Sequence, residues 1–227
     1  MTSYERAQVD VRGTWKPYRG IYEVIKALRD HETTSVLELI MNYDKGILKD
    51  IRTWCEATGN ELLSSERQGE KEMRCLIQKG EPKTNDRKMT VIISTANLGY
   101  VVYPLDKALA GAVLGMDINI VFEGAGVRLL KRGCQSKLSG LVGGVFTSIV
   151  ERVMKKKIGW PLPQESTLIL EDLGAHFYVC GPSMFGYGVR EEEFIVENYT
   201  IGAVITWVDL LACTDIHVFS KAQFERP

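Results

Sequence analysis

Apolar positions in the first eighty residues switch between two spacings. "QVDVR" alternates residue by residue and stops at Gly13, which predicts a short strand. Ile21, Val24, Ile25 and Leu28 then recur three and four apart, so "GIYEVIKALRD" is predicted to be a helix, with Pro17 at its opening. "SVLELIMN" reads as a second strand. Asp44 is placed to cap a helix over "KGILKDIRTWCEATG" that stops at Gly59. "NELLSSERQG" and "EKEMRCLIQKG" form a hairpin about Gly69, with Met73, Cys75 and Ile77 sharing one face. The order strand, helix, strand, helix, strand, strand implies a two-layer α/β sandwich.

The pattern breaks at "QKGEPKTNDRK", a polar stretch with Gly80 and Pro82 and little to bury. It divides the chain into a domain over 1–80, a linker over 81–88 and a second domain over 89–227. Beyond it, "KMTVIIST" is a continuous apolar run suited to a buried parallel strand. "MDINIVFEG", "AHFYVCG" and "IHVFS" read as three further strands. Helices are predicted over "YPLDKALAGAVLG", "GLVGGVFTSIVERVMKKK", "QESTLILEDLG" and "TWVDLLACTD". Strands alternating with helices imply a mostly parallel, doubly wound α/β sheet. The two halves do not resemble each other.

Composition narrows the function. Of 227 residues, 45% are hydrophobic, enough for each half to bury a core. A net charge of -1 argues against a protein built to bind nucleic acid. No apolar run is long enough to span a bilayer, and "MTSYERAQVD" has no signal-peptide core, so the cytoplasm is the expected compartment. The five cysteines are Cys55, Cys75, Cys134, Cys180 and Cys213; none are spaced as a metal pair, and an odd count does not suggest a disulfide framework. No metal or cofactor is expected, and any special cysteine is a reactive thiol.

The first half, through "VDVRG", the proline that opens the first helix, and "DIRTWCEATGNELLSSE", resembles the TusA/SirA-like sulfur-carrier family. That resemblance implies Arg-Gly, two residues, then Cys-Pro-x-Pro, with a persulfide on the cysteine. Arg12, Gly13 and Pro17 match; Lys16 stands at the cysteine position and Arg19 at the second proline. A lysine amine forms no persulfide, and a cation there faces the positive end of the helix dipole. The frame of a carrier site is kept without its thiol. Docking is the expected role, with Lys16 and Arg19 as candidates for holding an anion or an acidic partner.

The second half, from Met89 to about Ser220, resembles the DsrE/DsrF-like family, in particular its peroxiredoxin-like branch. "INIVFEGAGVRLLKR", "LGAHFYVCGPSMFGYGVREEEF" and "IGAVITWVDLLACTDIHVFS" carry the likeness. It implies a flavodoxin-like fold, trimers or hexamers, and cytoplasmic sulfur relay with the thiol at Cys180.

The residues themselves also select Cys180. It ends an apolar strand, where open α/β sheets place ligand crevices, and Pro182 suits the first turn of a helix. Free N–H groups of Gly181, Ser183 and Met184 would then face the sulfur and steady a persulfide anion or thiosulfonate. Gly124 and Gly126 would let a loop approach that site closely. Cys134, among Lys131, Arg132 and Lys137, is a second sulfur-handling or resolving thiol, or an idle loop cysteine. His176 lies four residues before Cys180 on the strand, too far to serve as its base, and Glu191–Glu193 read as a solvated helix start. Cys55, Cys75 and Cys213 read as core residues. Leu138–Val150, apolar and Gly-rich beside a basic cluster, is expected to be covered by another subunit rather than by a membrane.

The function expected from the sequence is sulfur relay: sulfane sulfur is accepted or passed on Cys180, with other relay proteins or small sulfur donors as partners. The alternative is a non-catalytic binding or regulatory protein that keeps both folds as docking modules.

Overall fold

The computed structural model describes residues 7–138 and 143–221, without the side chains of 143–146. It falls into two compact units. The first runs to Asn85 and includes two short later segments, Val113–Gly115 and Val153–Trp160. The second comprises Asp86–Ala112, Met116–Arg152 and the chain from Pro161.

The first unit is built from β1 (Ala7–Asp10), α1 (Pro17–Leu28), β2 (Val36–Asn42), α2 (Lys45–Thr58), β3 (Glu61–Gln68) and β4 (Glu72–Gln78). Its four-stranded sheet has the order β1-β2-β4-β3, with β1 parallel to β2 and β4 antiparallel to both of its neighbours. Side chains alternate across the pleat, so Leu37, Leu39 and Met41 lie with Met73, Cys75 and Ile77 on one buried face. Val24 and Leu28 of α1, and Ile47, Ile51 and Trp54 of α2, are buried with them. Asp44 caps α2 by accepting from the N–H groups of Gly46 and Ile47. Gly59 ends α2 at φ 84, and a Cβ there would meet the Glu81 carbonyl at 2.0 Å. Over the expected linker, 81–88, side chains are mostly exposed. Lys83 nevertheless donates its N–H to the Thr58 carbonyl and its ammonium to the Glu56 carbonyl.

The second unit has an all-parallel, five-stranded sheet flanked by helices, a flavodoxin-like arrangement. Its elements are β5 (Lys88–Ile93), α3 (Leu98–Val113), β6 (Asp117–Phe122), a 3-10 turn over Gly124–Leu130, α4 (Gly143–Val153), α5 (Pro163–Asp172), β7 (His176–Cys180), α6 (Gly181–Tyr187), β8 (Tyr199–Gly202), α7 (Val204–Ala212) and β9 (Ile216–Phe219). The strand order is β8-β7-β6-β5-β9. β5 and β6 are buried along almost their whole length, as expected of central parallel strands.

Three features depart from the sequence expectation. α3 begins at Leu98, ahead of Pro104, because Leu98, Val101 and Val102 extend its buried face and the Asn97 side chain accepts the Gly99 N–H. β8 is an additional edge strand of four residues, too short and too exposed to announce itself by alternation. The helix after Gly143 passes at Met154–Ile158 into a π turn, which Gly159 stops at φ 67.

Candidate functional site

Cys180 is the last residue of β7, and α6 starts at the next residue, with Pro182 in its first turn. Parallel pairing sets Cys180 opposite Gly202 of β8. Along β7, Phe177 and Val179 point into one buried face, while Tyr178 and Cys180 pack on the other against Ile92, Val121 and Trp207. The thiol is half-buried and free. Its sulfur makes no capping hydrogen bond to α6, contrary to the expectation that helix N–H groups would face it. The alternation of the strand explains this: it commits the side chain to the Trp207 side of the sheet. Gly202 makes the room, since a Cβ there would lie 3.1 Å from the Trp207 ring.

Beyond the strand end, Ser183 and the Gly124 loop meet. The Gly124 N–H donates to Ser183 Oγ at 2.9 Å. Ser94 donates its hydroxyl to Glu123 at 2.8 Å, tying the loop to the end of β5 as well. Gly126 needs no ligand to explain it, because a Cβ there would stand 2.0 Å from the Ile93 carbonyl oxygen. Its missing side chain lets the 3-10 turn lie on β5. Met184 is buried, and its carbonyl accepts from Val189 and Gly188. Beyond Cys180 the structure brings Ser183 of α6 against Gly124, with Gly181 and Met184 in the same helix, while Gly126 faces β5.

A family model described as DsrE/DsrF-like matches residues 87–219, a span that contains every strand of this sheet and Cys180. The chain belongs to the DsrE/DsrF-like family. That family is associated with sulfur relay. A search of the curated proteins finds no match. The family match does not extend to residues 1–86.

In this DsrE/DsrF-like unit, Cys134 sits apart in its own 260 Å³ cavity, lined among others by Ser136, Glu151, Pro163 and Gln164. Two of the three basic neighbours that suggested an activated thiol are committed elsewhere. Lys131 pairs with Glu193 at 2.9 Å, and Arg132 Nε donates to the Phe194 carbonyl. The Lys131 hydrogen bond, with support from the Arg190 N–H, holds the Glu193 carboxyl below its usual range. Glu191–Glu193 form a short 3-10 turn.

His176 is engaged on both ring nitrogens, by Asn198 Oδ1 and Thr200 Oγ1, each at 2.8 Å. The Asn198 amide donates to the Ala175 carbonyl, which turns its oxygen toward His176 and makes Nδ1 the donor. Cys213 is exposed, not core, because it follows the last turn of α7 and lies off the face that carries Trp207. Among the described residues no group of His, Cys, Asp and Glu is arranged to hold a metal. No helix among them is long and apolar enough to cross a membrane.

In the first unit, Cys55 and Cys75 are buried, and burial pushes their thiols up to about 12 and about 11. Lys16 is the N-cap of α1, and its ammonium lies over the Trp160 ring, 3.5 Å from the centroid. The Trp15 N–H donates to the Ile158 carbonyl at 2.8 Å, and Thr14 Oγ1 to the Gly159 carbonyl at 3.4 Å. A Cβ on Gly159 would come within 2.7 Å of the Thr14 backbone, so only glycine seats the turn this closely. Lys16 and Arg19, paired in the sequence reading, therefore part: Lys16 goes to Trp160, whereas Arg19 lines a 630 Å³ cavity beside Asp10, Arg12, Lys155 and Lys156. The Leu138–Val150 stretch is only partly testable, because 139–142 lie outside the described residues; beyond them Thr147 is buried and Ile149 exposed.

Proposed function

We propose that the protein relays sulfane sulfur through Cys180, in the cytoplasm, as part of a homo-oligomer. One observation carries the reading: within the family-matched sheet, a half-buried free thiol stands at the carboxyl end of the inner strand β7, directly before α6. The Cys180 sulfur attacks the terminal sulfur of a persulfide, polysulfide or thiosulfate. The S–S bond of the donor breaks, and a thiol, a polysulfide shortened by one sulfur, or sulfite leaves, respectively. Cys180 becomes a persulfide with no net change in redox state, and an acceptor thiol reverses the step. Gly181, Ser183, Met184 and Gly124 form the wall of this site, and Cys134 is the second thiol through which sulfur can pass.

In this reading residues 1–80 are a TusA/SirA-like domain, 81–88 a linker and 89–227 the relay domain. The first domain docks partners, since Lys16 replaces the carrier thiol and lies on Trp160. That substitution also favours a second reading, a binding or regulatory protein without turnover. Assembly is supported by α7, which buries Trp207 but leaves Val204, Ile205 and Val208 exposed. A helix apolar on nearly every side belongs in an interior, and here a second copy supplies one.

The test is mass spectrometry of the folded protein after incubation with polysulfide or thiosulfate. One added sulfur on the Cys180 peptide, absent in Cys180→Ser and present in Lys16→Ala, is the expected result. Failure of Cys180 to take sulfur from any donor sinks the relay reading in favour of the binding one. Cys134→Ser slows loss of the adduct to an acceptor thiol if Cys134 is a relay partner.

A further inference from the structure

The cavity at Cys134 has more hydrogen-bonding capacity than its own wall uses. Ser136 lines it and is 5% exposed, and its hydroxyl has no partner among the described residues. Buried polar groups almost always have partners, so an unmet hydroxyl in a cavity wall points to something the cavity takes up. Gln164 stands in the same wall. Its amide nitrogen donates to the Leu129 carbonyl at 2.9 Å and to the Lys131 carbonyl at 2.7 Å. Both amide protons are thereby spent, and the amide oxygen, an acceptor, is what remains. Glu151 of α4 adds a carboxylate with no ion pair among the described residues.

No cation answers it within the wall. Lys131 and Arg132, close to Cys134 in sequence, are turned to Glu193 and to the Phe194 carbonyl. The wall is therefore rich in acceptors and negatively charged, with Leu162 and Pro163 as its apolar part and half-buried Cys134 beside its polar groups in the lining. An oxyanion would meet Glu151 unopposed. An ammonium supplies three donors and the opposite charge. A short alkyl chain suits Leu162 and Pro163. At about 30 Å³ per water-sized group, the 260 Å³ volume takes roughly eight or nine non-hydrogen atoms.

We infer that this cavity binds a small aminothiol, or the disulfide of one, with its ammonium on Glu151, Ser136 and Gln164 and its sulfur against Cys134. The bound disulfide exchanges with the protein. The Cys134 sulfur attacks one sulfur of the ligand, the S–S bond of the ligand breaks, and one aminothiol leaves with the Cys134 proton. Cys134 is left in a mixed disulfide; one S–S bond has replaced another, with no net oxidation. In the relay reading the reduced molecule is the small acceptor that takes sulfur from Cys134. That role rests on the relay reading; the binding does not.

Disulfide exchange on the folded full chain tests this, read as adduct mass on the mapped peptides. The probes are cystamine and hydroxyethyl disulfide, which match in length and differ in charge. Their rates at exposed Cys213 of the same chain cancel their intrinsic reactivities. Every arm carries Cys180→Ser, which keeps the result apart from the fate of the relay reading. Cys134 should prefer cystamine on the order of tenfold more strongly than Cys213 does. Glu151→Gln should remove most of that preference, and Ser136→Ala should lower it about two- to fivefold. Asp50→Asn, which removes an exposed carboxylate of α2, should leave it unchanged. The inference is overturned if Cys134 shows the same preference as Cys213, if Glu151→Gln keeps the preference of its parent, or if Cys134 reacts with neither disulfide.

Discussion

The residue scale is where this chain departs most from what its motifs suggest. Five free cysteines divide by environment, with Cys55 and Cys75 sealed in the sandwich and Cys134, Cys180 and Cys213 reachable. Native-state alkylation followed by peptide mapping should therefore label the last three quickly and the first two only on unfolding. The buried pair also sets an alkaline limit. Both folded thiols titrate above the ordinary value of 9.0, so above about pH 9 the unfolded chain releases protons that the folded chain keeps. Stability contributed by neutral Cys55 and Cys75 is complete below that pH. It falls by about 1.4 kcal/mol per pH unit per thiol until the folded groups titrate. Urea unfolding at pH 8 and at higher pH should show this slope, and Cys75→Ala should roughly halve it. Lys16→Ala should cost about 0.5–1 kcal/mol by removing the cation from the Trp160 ring, with a change in tryptophan emission.

At the scale of elements, close backbone approach decides what the loops can tolerate. The sequence suggests that Gly126 lets its loop approach the thiol site closely, but the close approach is to the Ile93 carbonyl. Gly126→Ala should therefore destabilise the second unit by about 3 kcal/mol or more, measurable as a fall in denaturation midpoint. Loss of sulfur uptake without loss of stability would instead give that glycine a direct part in the site. The same logic applies to the Met154–Ile158 turn. Its lysines look like the solvated end of a helix, yet the π winding and Gly159 fold them onto the approach to α1. Sequence periodicity has no term for such a turn, because it reports which face is apolar and not where a helix end docks.

For the whole molecule, the exposed apolar surface predicts association. Phe185 is 93% exposed and Ile205 83%, and both belong to elements that adjoin Cys180, α6 directly and α7 through β8. Ile205→Asp should convert an oligomer into smaller species in sedimentation while leaving the circular dichroism spectrum unchanged. A wild-type protein that sediments as a monomer at micromolar concentration would remove the assembly proposal and leave these side chains without a partner.

The sequence by itself determined most of the local architecture. Periodicity placed eight of the strands and the major helices, Asp44 and Gly59 marked the ends of α2, and the strand that ends at Cys180 was legible with its following turn. These are short-range properties, set by spacing, caps and turn residues within a few positions. What remained hidden depends on partners distant in the chain. β8 exists because four residues pair with β7. The direction of the Cys180 thiol depends on Trp207, reached only after the sheet is assembled. Lys16 meets Trp160, and Arg19 shares a cavity with Lys155 and Lys156, because the later segment folds back into the first unit. Local pattern fixes what a segment becomes; which side chains share a hollow is settled by long-range packing, and only the tertiary structure contains it.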